Sequence, residues 1–425
     1  MNAAMTTAAA PSPTTDPIGR PLRILNVSQN YYVRGGMDVA MFRLEDILKA
    51  HGHQVIPFAG ADPANRPTEY ARYFPPAPPT SDTGSADLLR TLYSPAARRA
   101  IGRVLDEQTI DLVHLHSYFK RLTPAILPEI ARRGIPIVQT MHEYRAVCPI
   151  SLLYRDGHLC TDCRGRRYGQ VVRHRCAGGS LPRSLWNMAE MRLSDLLGHK
   201  RDIARYLSIS DFQRDQLIAM GMPAERIETI FHPVALPAPA PEGPRDHVLF
   251  VGRLERYKGI FPLVEVARAL PSVRFVFAGE GPDGDAVRVA AADCANIDWR
   301  GNLDGATLTD ARNRAFCAVV PSLGPEPFGL TSIEALAHGL PVVASAIGGL
   351  TETVRDGIDG FHVAPGDVAA LTDRIMRLAA DRAMARRMGE AGRARAAEDF
   401  APERYYQRTR AVYAQVLSAQ AKVAA

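Results

Sequence analysis

Glu326 and Glu334 bracket the stretch Glu326-Pro-Phe-Gly-Leu-Thr-Ser-Ile-Glu334. The first carboxylate falls in a loop rich in glycine and proline. The second falls on a helix, because Ile333, Leu336 and Ala337 recur at helical spacing and Gly339-Leu-Pro341 stops the pattern. A loop carboxylate can accept hydrogen bonds from sugar hydroxyls. The backbone amides at a helix start, here near Thr331 and Ser332, offer N–H groups and a positive dipole end to phosphate. The pattern therefore suits a ligand carrying both, a nucleotide sugar. Gly252 permits a tight turn after the apolar run 247–251 and is followed by Arg253 and Lys258. An arginine fork and a lysine point charge suit a diphosphate. Alone, these two cations read as an ordinary basic turn. Beside the carboxylate pair they read as part of one site. Gly35-Gly36 forms a glycine loop after the first apolar run, and His142 stands just past the run 135–140. His114 and His116 alternate along another run and read as core or rim positions rather than metal ligands.

Positioning these residues requires strands that end at one cleft. Apolar runs at 23–28, 53–58, 112–116, 135–140 and 206–210 alternate with helical patterns, as at 39–48, 96–108 and 185–197. Residues 62–85 read as loop. Five prolines within residues 233–244 mark a stiff linker. Alternation then resumes, with runs at 247–251, 273–278, 297–299, 317–320, 341–344 and 360–363. Helical patterns follow at 368–379, 382–400 and 402–419. The expected fold class is α/β, two doubly wound Rossmann-like domains facing across a cleft. Residues 1–20 are expected as a disordered tail and 21–235 as the first domain, with a Cys-rich basic insertion at 145–180. Residues 245–400 are expected as the nucleotide-sugar-binding domain, and 401–425 as a helix packing back toward the first domain.

With 425 residues, 46% of them hydrophobic, the chain can build two ordinary domains. No apolar run approaches the roughly 18 residues of a membrane span. The first twenty residues lack a basic start and an apolar stretch, so they read as a tail rather than a signal peptide, and the protein as cytoplasmic. The net charge of +6 is uneven: residues through 235 hold 29 basic and 22 acidic side chains, the remainder 22 and 23. Residues 118–183 alone hold 12 against 4. That bias leaves two readings, a solvated basic face or an anionic partner such as a membrane surface. No nucleic-acid motif accompanies it.

Cys148, Cys160, Cys163 and Cys176 include one C-x2-C pair with two outlying cysteines. In a cytoplasmic protein the choices are free thiols or a tetrahedral four-cysteine structural zinc, with His158 or His174 as substitute ligands. Such a zinc would pin the basic insertion (Arg164, Arg166, Arg167, Arg173, Arg175) close to His142. Cys294 and Cys317 read as buried apolar residues.

Several stretches resemble family 4 glycosyltransferases (glycosyl transferases group 1), retaining enzymes of the GT-B fold. They are Val251-Gly-Arg-Leu-Glu-Arg-Tyr-Lys-Gly259, Phe277-Ala-Gly-Glu-Gly-Pro282, residues 326–345 and residues 348–361. The first half resembles the family more weakly, through Gly35-Gly36, the run 111–116 and Thr140-Met-His-Glu143. The resemblance implies transfer of a hexosyl group from a nucleotide-diphosphate sugar with retention and without a catalytic metal or other cofactor. It implies that Glu326 holds sugar hydroxyls and that the amides of Phe328, Gly329, Leu330 and Thr331 contact sugar and diphosphate. Glu334 would hold the ribose, Arg253 and Lys258 would neutralise the diphosphate, and His142 would lie beside the transferred sugar. Gly35, Gly36 and Gly252 would allow close approach to the donor. The implied acceptor is a saccharide, or a lipid-linked saccharide in polysaccharide or envelope assembly, met peripherally at the inner membrane face. Phe231-His-Pro-Val-Ala-Leu236 departs from the family pattern and puts any donor contact there in doubt. A nucleotide-sugar epimerase or phosphorylase of the same fold, and a non-catalytic binding protein, are the alternative readings.

Overall fold

The computed structural model describes residues 19–78, 85–239 and 243–424. The tail expected over residues 1–20 therefore lies outside the described residues, apart from Gly19 and Arg20, as does the middle of the proline-rich linker. Arg20 is fastened to Asp111, Nη2 to Oδ1, at 2.6 Å.

The strands are β1 (Arg23–Val27), β2 (Gln54–Phe58), β3 (Leu112–Leu115), β4 (Ile137–Met141), β5 (Tyr154–Arg155), β6 (His158–Leu159), β7 (Ile203–Ser208) and β8 (Ile227–Thr229) in the first half. The second half holds β9 (His247–Val251), β10 (Arg274–Ala278), β11 (Ile297–Trp299), β12 (Ala315–Val320), β13 (Val342–Ser345) and β14 (Gly360–Val363). Apart from the small β5–β6 hairpin they form two sheets of six strands, in the orders β2-β1-β3-β4-β7-β8 and β11-β10-β9-β12-β13-β14. Pairing within both is parallel, with Leu25 opposite Ile56 on one side and Val113 on the other. Helices cover both faces of a parallel sheet, so its central strands read as unbroken apolar runs. Accordingly all six residues of β12 are buried.

Each order reverses direction once, between β1 and β3 in the first sheet and between β9 and β12 in the second. At such a reversal the loops leaving neighbouring strands diverge and open a crevice beyond the carboxyl ends. Gly35 and Gly36 follow β1, His116 and His142 follow β3 and β4, Gly252 to Lys258 follow β9, and Glu326 follows β12. The chain's chemistry is thus placed at two strand-order reversals.

Helix Pro402–Ala424 packs on the first sheet, burying Tyr405, Val412, Tyr413 and Val416 against Ile24, Val55, Leu112 and Val138. Its polar anchors are histidines: His114 Nδ1 lies 2.5 Å from the Tyr413 hydroxyl and His53 Nε2 3.0 Å from that of Tyr406. The halves also meet directly. Ser210 Oγ donates to the Pro327 carbonyl at 2.6 Å, and the Glu352 carboxylate accepts from the amides of Asp211 and Phe212. Glu352 thereby satisfies the first orphan amides of helix Asp211–Ala219 from the opposite half.

Residues 62–85, expected as loop, contain the short 3₁₀ helix Glu69–Tyr73. Tyr73 is buried and its hydroxyl donates to Glu107 at 2.7 Å, a tertiary anchor that local polarity conceals. The three-residue β8 and helix Gly305–Arg314 are further elements whose patterns are too short or too polar to read. Residues 145–180 fold with little regular structure. Five of the seven described non-glycine residues at positive φ fall here: Ser151, Leu153, Asp156, Arg166 and Arg175. The β5–β6 hairpin nonetheless reaches the second half, where Tyr154 packs edge-on against Tyr257 with ring centroids 5.7 Å apart.

Candidate active site

A cavity of about 820 Å³ opens between the two strand-order reversals and takes its walls from both halves. Helices Gly36–Ala50 and Leu330–Ala337 both begin at its wall. Their starts nearly touch, since a Cβ on Gly36 would lie 3.1 Å from Leu330 Cδ1. Gly329 caps the second helix at φ 94°, a left-handed conformation, and a Cβ there would strike Leu350 at 2.5 Å. Ser332 Oγ donates back to the Gly329 carbonyl at 2.6 Å and fixes the turn. Two positive helix ends thus converge on one space, an arrangement suited to an anion. In the facing glycine loop, Asp38 accepts from the amides of Arg34 and Gly35 at 2.9 and 3.2 Å, and burial raises its carboxyl above the usual range.

Glu326 is 6% exposed and lines the cavity. Its Oε1 accepts from Lys258 Nζ and from Ser322 Oγ, each at 2.5 Å, while its carbonyl accepts from the Gly349 amide at 2.8 Å. The carboxylate is therefore fixed in place, and Lys258, with three donor hydrogens, keeps others for a ligand. Arg253 also lines the cavity. Its side chain is 66% exposed and its nearest acid, Glu255, lies 3.6 Å away, so its guanidinium is available to a bound phosphate. Gly252, Phe328, Leu330 and Thr331 complete this wall, and Gly35, Gly36 and His142 stand on the other.

Glu334 is placed differently. It does not line the cavity, and its two oxygens accept from Arg43, on helix Gly36–Ala50, and from Arg312 at 2.5 Å. Arg43 also donates to the Pro233 carbonyl at 3.2 Å, so one side chain ties the first half to both the linker and the second half.

His142 belongs to a column of four rings. His114 stacks on His116 at 4.6 Å, His116 on His142 at 5.1 Å and His142 on His232 at 5.2 Å; His232 then meets Phe328 edge-on at 5.5 Å. His142 Nε2 lies 2.8 Å from His116 Nδ1. Burial pushes His114 and His142 down to about 3 and also lowers His116 and His232 well below the usual value, so the column is neutral near pH 7. His114 and His116 are buried, as a core position requires, but His116 also touches His142 at the cavity. His232 belongs to the segment that departs from the family pattern, yet it lines the cavity. Arg43 and Arg312 carried no sequence signal, being two arginines among many on polar helix faces.

The four cysteines line a separate small cavity of about 20 Å³. No disulfide joins them, and burial together with the neighbouring sulfurs pushes Cys163 up to about 12. Arg155 stands among them and donates to Cys176. Among the described residues no three side chains stand at metal-ligating spacing.

Two parallel sheets whose reversals face one cleft, with cations on one wall and a helix start on each, define a two-domain glycosyltransferase of the GT-B type. The glycosyl transferase 4-like domain matches residues 35–231, and the glycosyl transferases group 1 domain matches residues 237–395. The chain is 30% identical over 419 residues to a glycogen synthase of Mycobacterium tuberculosis, covering 89% of this chain and 91% of that one. It is 28% identical over 359 residues to a phosphatidyl-myo-inositol mannosyltransferase of Mycobacterium leprae, covering 82% and 85%. A sucrose-phosphate synthase structure from Thermosynechococcus elongatus superposes with a TM-score of 0.72 at 23% identity, over 94% of this chain and all of that one. The chain belongs to the group 1, family 4-like glycosyltransferases, enzymes that use nucleotide-sugar donors.

Proposed function

We propose that this chain is a retaining, metal-independent hexosyltransferase. It moves a sugar from a nucleoside-diphosphate sugar to a saccharide or lipid-linked saccharide at the inner face of an anionic membrane. The observation that carries this reading is the convergence of Arg253, Lys258 and two helix starts on the cavity that also holds Glu326. Departure of the nucleoside diphosphate concentrates negative charge on its terminal phosphate. Fixed cations and oriented amides stabilise that charge without reorganising, and so can supply what a divalent metal supplies elsewhere. Glu326, held by Lys258 and Ser322, accepts from hydroxyls of the transferred sugar. The acceptor hydroxyl attacks from the face the diphosphate leaves, the anomeric centre passing through an oxocarbenium-like state; the bond to the diphosphate oxygen breaks, and that oxygen takes the hydroxyl proton. Glu334 takes the ribose hydroxyls once Arg43 yields one of its oxygens. The test is proton NMR of the transfer product, with and without a chelator. Retention of the donor's anomeric configuration, at an undiminished rate in chelator, is expected. Inversion, or loss of activity restored by added metal, contradicts the reading.

The membrane part rests on a surface of the first half. Arg164, Arg166, Arg167, Arg173, Arg175 and Arg183 are exposed there, beside Leu181 and Leu185 at 43% and 44% exposure. Basic side chains with interspersed apolar ones suit anionic lipid. No described helix is long and apolar enough to cross a membrane. Vesicles containing phosphatidylglycerol should bind the protein, and added salt should release it. Equal binding to neutral vesicles at all salt concentrations would reject this docking.

A further inference from the structure

The buried hydrogen bonds behind His142 run in one direction. His116 Nε2 lies 2.9 Å from Asn26 Oδ1, and His116 Nδ1 lies 2.8 Å from His142 Nε2. The Asn26 amide is oriented by its other end, which donates to Glu45 Oε2 at 3.5 Å. Glu45 in turn accepts from the Tyr31 hydroxyl at 2.7 Å and Lys49 Nζ at 2.6 Å. Asn26, Glu45 and His116 are 2%, 3% and 4% exposed.

A neutral imidazole carries one N–H and one bare nitrogen. An amide oxygen only accepts, so His116 must carry its proton on Nε2. Its Nδ1 is then bare and can only accept. His142 must therefore carry its proton on Nε2 and present a bare Nδ1. Desolvation, which keeps both rings neutral, supports the assignment. No hydrogen bond to His142 Nδ1 occurs among the described residues, and His142 lines the cavity.

We infer that Asn26 and His116 are positioning residues that fix the tautomer of His142, so that its Nδ1 stands as a hydrogen-bond acceptor for a sugar hydroxyl in the cleft. A histidine donating there would suit a phosphate or carbonyl oxygen; one accepting there suits a hydroxyl. That hydroxyl belongs either to the transferred sugar or to the attacking acceptor. The inference rests on the proposed donor site for its function, but the tautomer itself does not.

The test begins with the wild-type protein labelled with ¹⁵N-histidine, His142 being assigned by its loss in His142→Gln. Long-range ¹H–¹⁵N correlation spectra should show His142 protonated at Nε2 and bare at Nδ1. Protonation at Nδ1 overturns the inference without any variant, and whether or not a donor is ever found. His116→Phe keeps the stacked ring but removes the acceptor. It should mix the His142 tautomers and lower kcat roughly 10- to 100-fold, by analogy with partners that orient a metal-ligating histidine. An unchanged tautomer and kcat would show mere packing. A donor-induced rise in Tm that shrinks in His116→Phe assigns the hydroxyl to the donor sugar. An unchanged rise with a higher acceptor KM assigns it to the acceptor. Absence of transfer with every donor, alongside the expected tautomer, would remove the functional reading and leave the relay standing.

Discussion

At the ends of β9 and β12 the chain places Arg253, Lys258 and Glu326, with Glu334 and Arg312 close behind. At the ends of β1, β3 and β4 it places Asn26, His116 and His142, all uncharged near neutral pH. The two reversals are similar in backbone but differ in the charge of these residues. A charged wall holds a charged ligand and can stabilise a charged leaving group, provided its groups are fixed beforehand. The uncharged histidines of the other wall hold no anion themselves, although a helix start stands near them; what they can present is a single lone pair in a defined direction. The difference gives the fixed cations to one half and a desolvated lone pair to the other. It also explains why the site exists only where both halves meet.

The comparison can be broken most severely at Lys258. Lys258→Met removes a cation and leaves Glu326 nearly buried without its partner. A loss of roughly 10² to 10³ in kcat is expected, the size seen when one preorganised donor is deleted. A loss below about threefold would take Lys258 out of the charged wall. The neutral histidine column should show itself in stability against pH. His114 and His142 titrate near 3 in the folded protein against about 6.5 unfolded, so below pH 6.5 the unfolded chain binds protons that the native column refuses. Stability should therefore be full above 6.5 and fall as pH drops toward 3, by up to about 1.4 kcal/mol per pH unit for each such histidine. Urea midpoints at pH 7, 6 and 5 would measure it; a flat profile would mean the column is not neutral. The smallest effect is expected at the seam. Arg43→Met frees one oxygen of Glu334 and should lower the donor KM about two- to fivefold if Arg43 and ribose compete for it. A raised KM would instead make Arg43 a contact for the donor.

Much of the second sheet was legible because buried parallel strands are short unbroken apolar runs. The runs read at 247–251, 297–299 and 360–363 coincide with β9, β11 and β14. Strand order was not legible, since nothing local in β9 says that its neighbours are β10 and β12. Glu326, Lys258 and Arg253 were readable because loop chemistry is local. Asn26, His116, His232 and Arg43 were not, because each acquires its role only when distant loops are brought together. His116 shows the limit well: on a strand it is one more buried histidine, and only the 2.8 Å contact with His142 distinguishes it. The cysteine spacing was equally readable, but spacing alone could not reveal Arg155 among the thiols.

The division of labour between the two walls is tested most directly by thermal shift with UDP-, GDP- and ADP-sugars on the wild type and Lys258→Met. A ligand that binds the folded state raises Tm in proportion to RT ln(1 + [L]/Kd). One family of nucleotide sugars should raise the Tm of the wild type and lose most of that rise in Lys258→Met, while His142→Gln keeps the part due to the diphosphate. No shift with any nucleotide sugar, or an equal shift in Lys258→Met, would contradict the account.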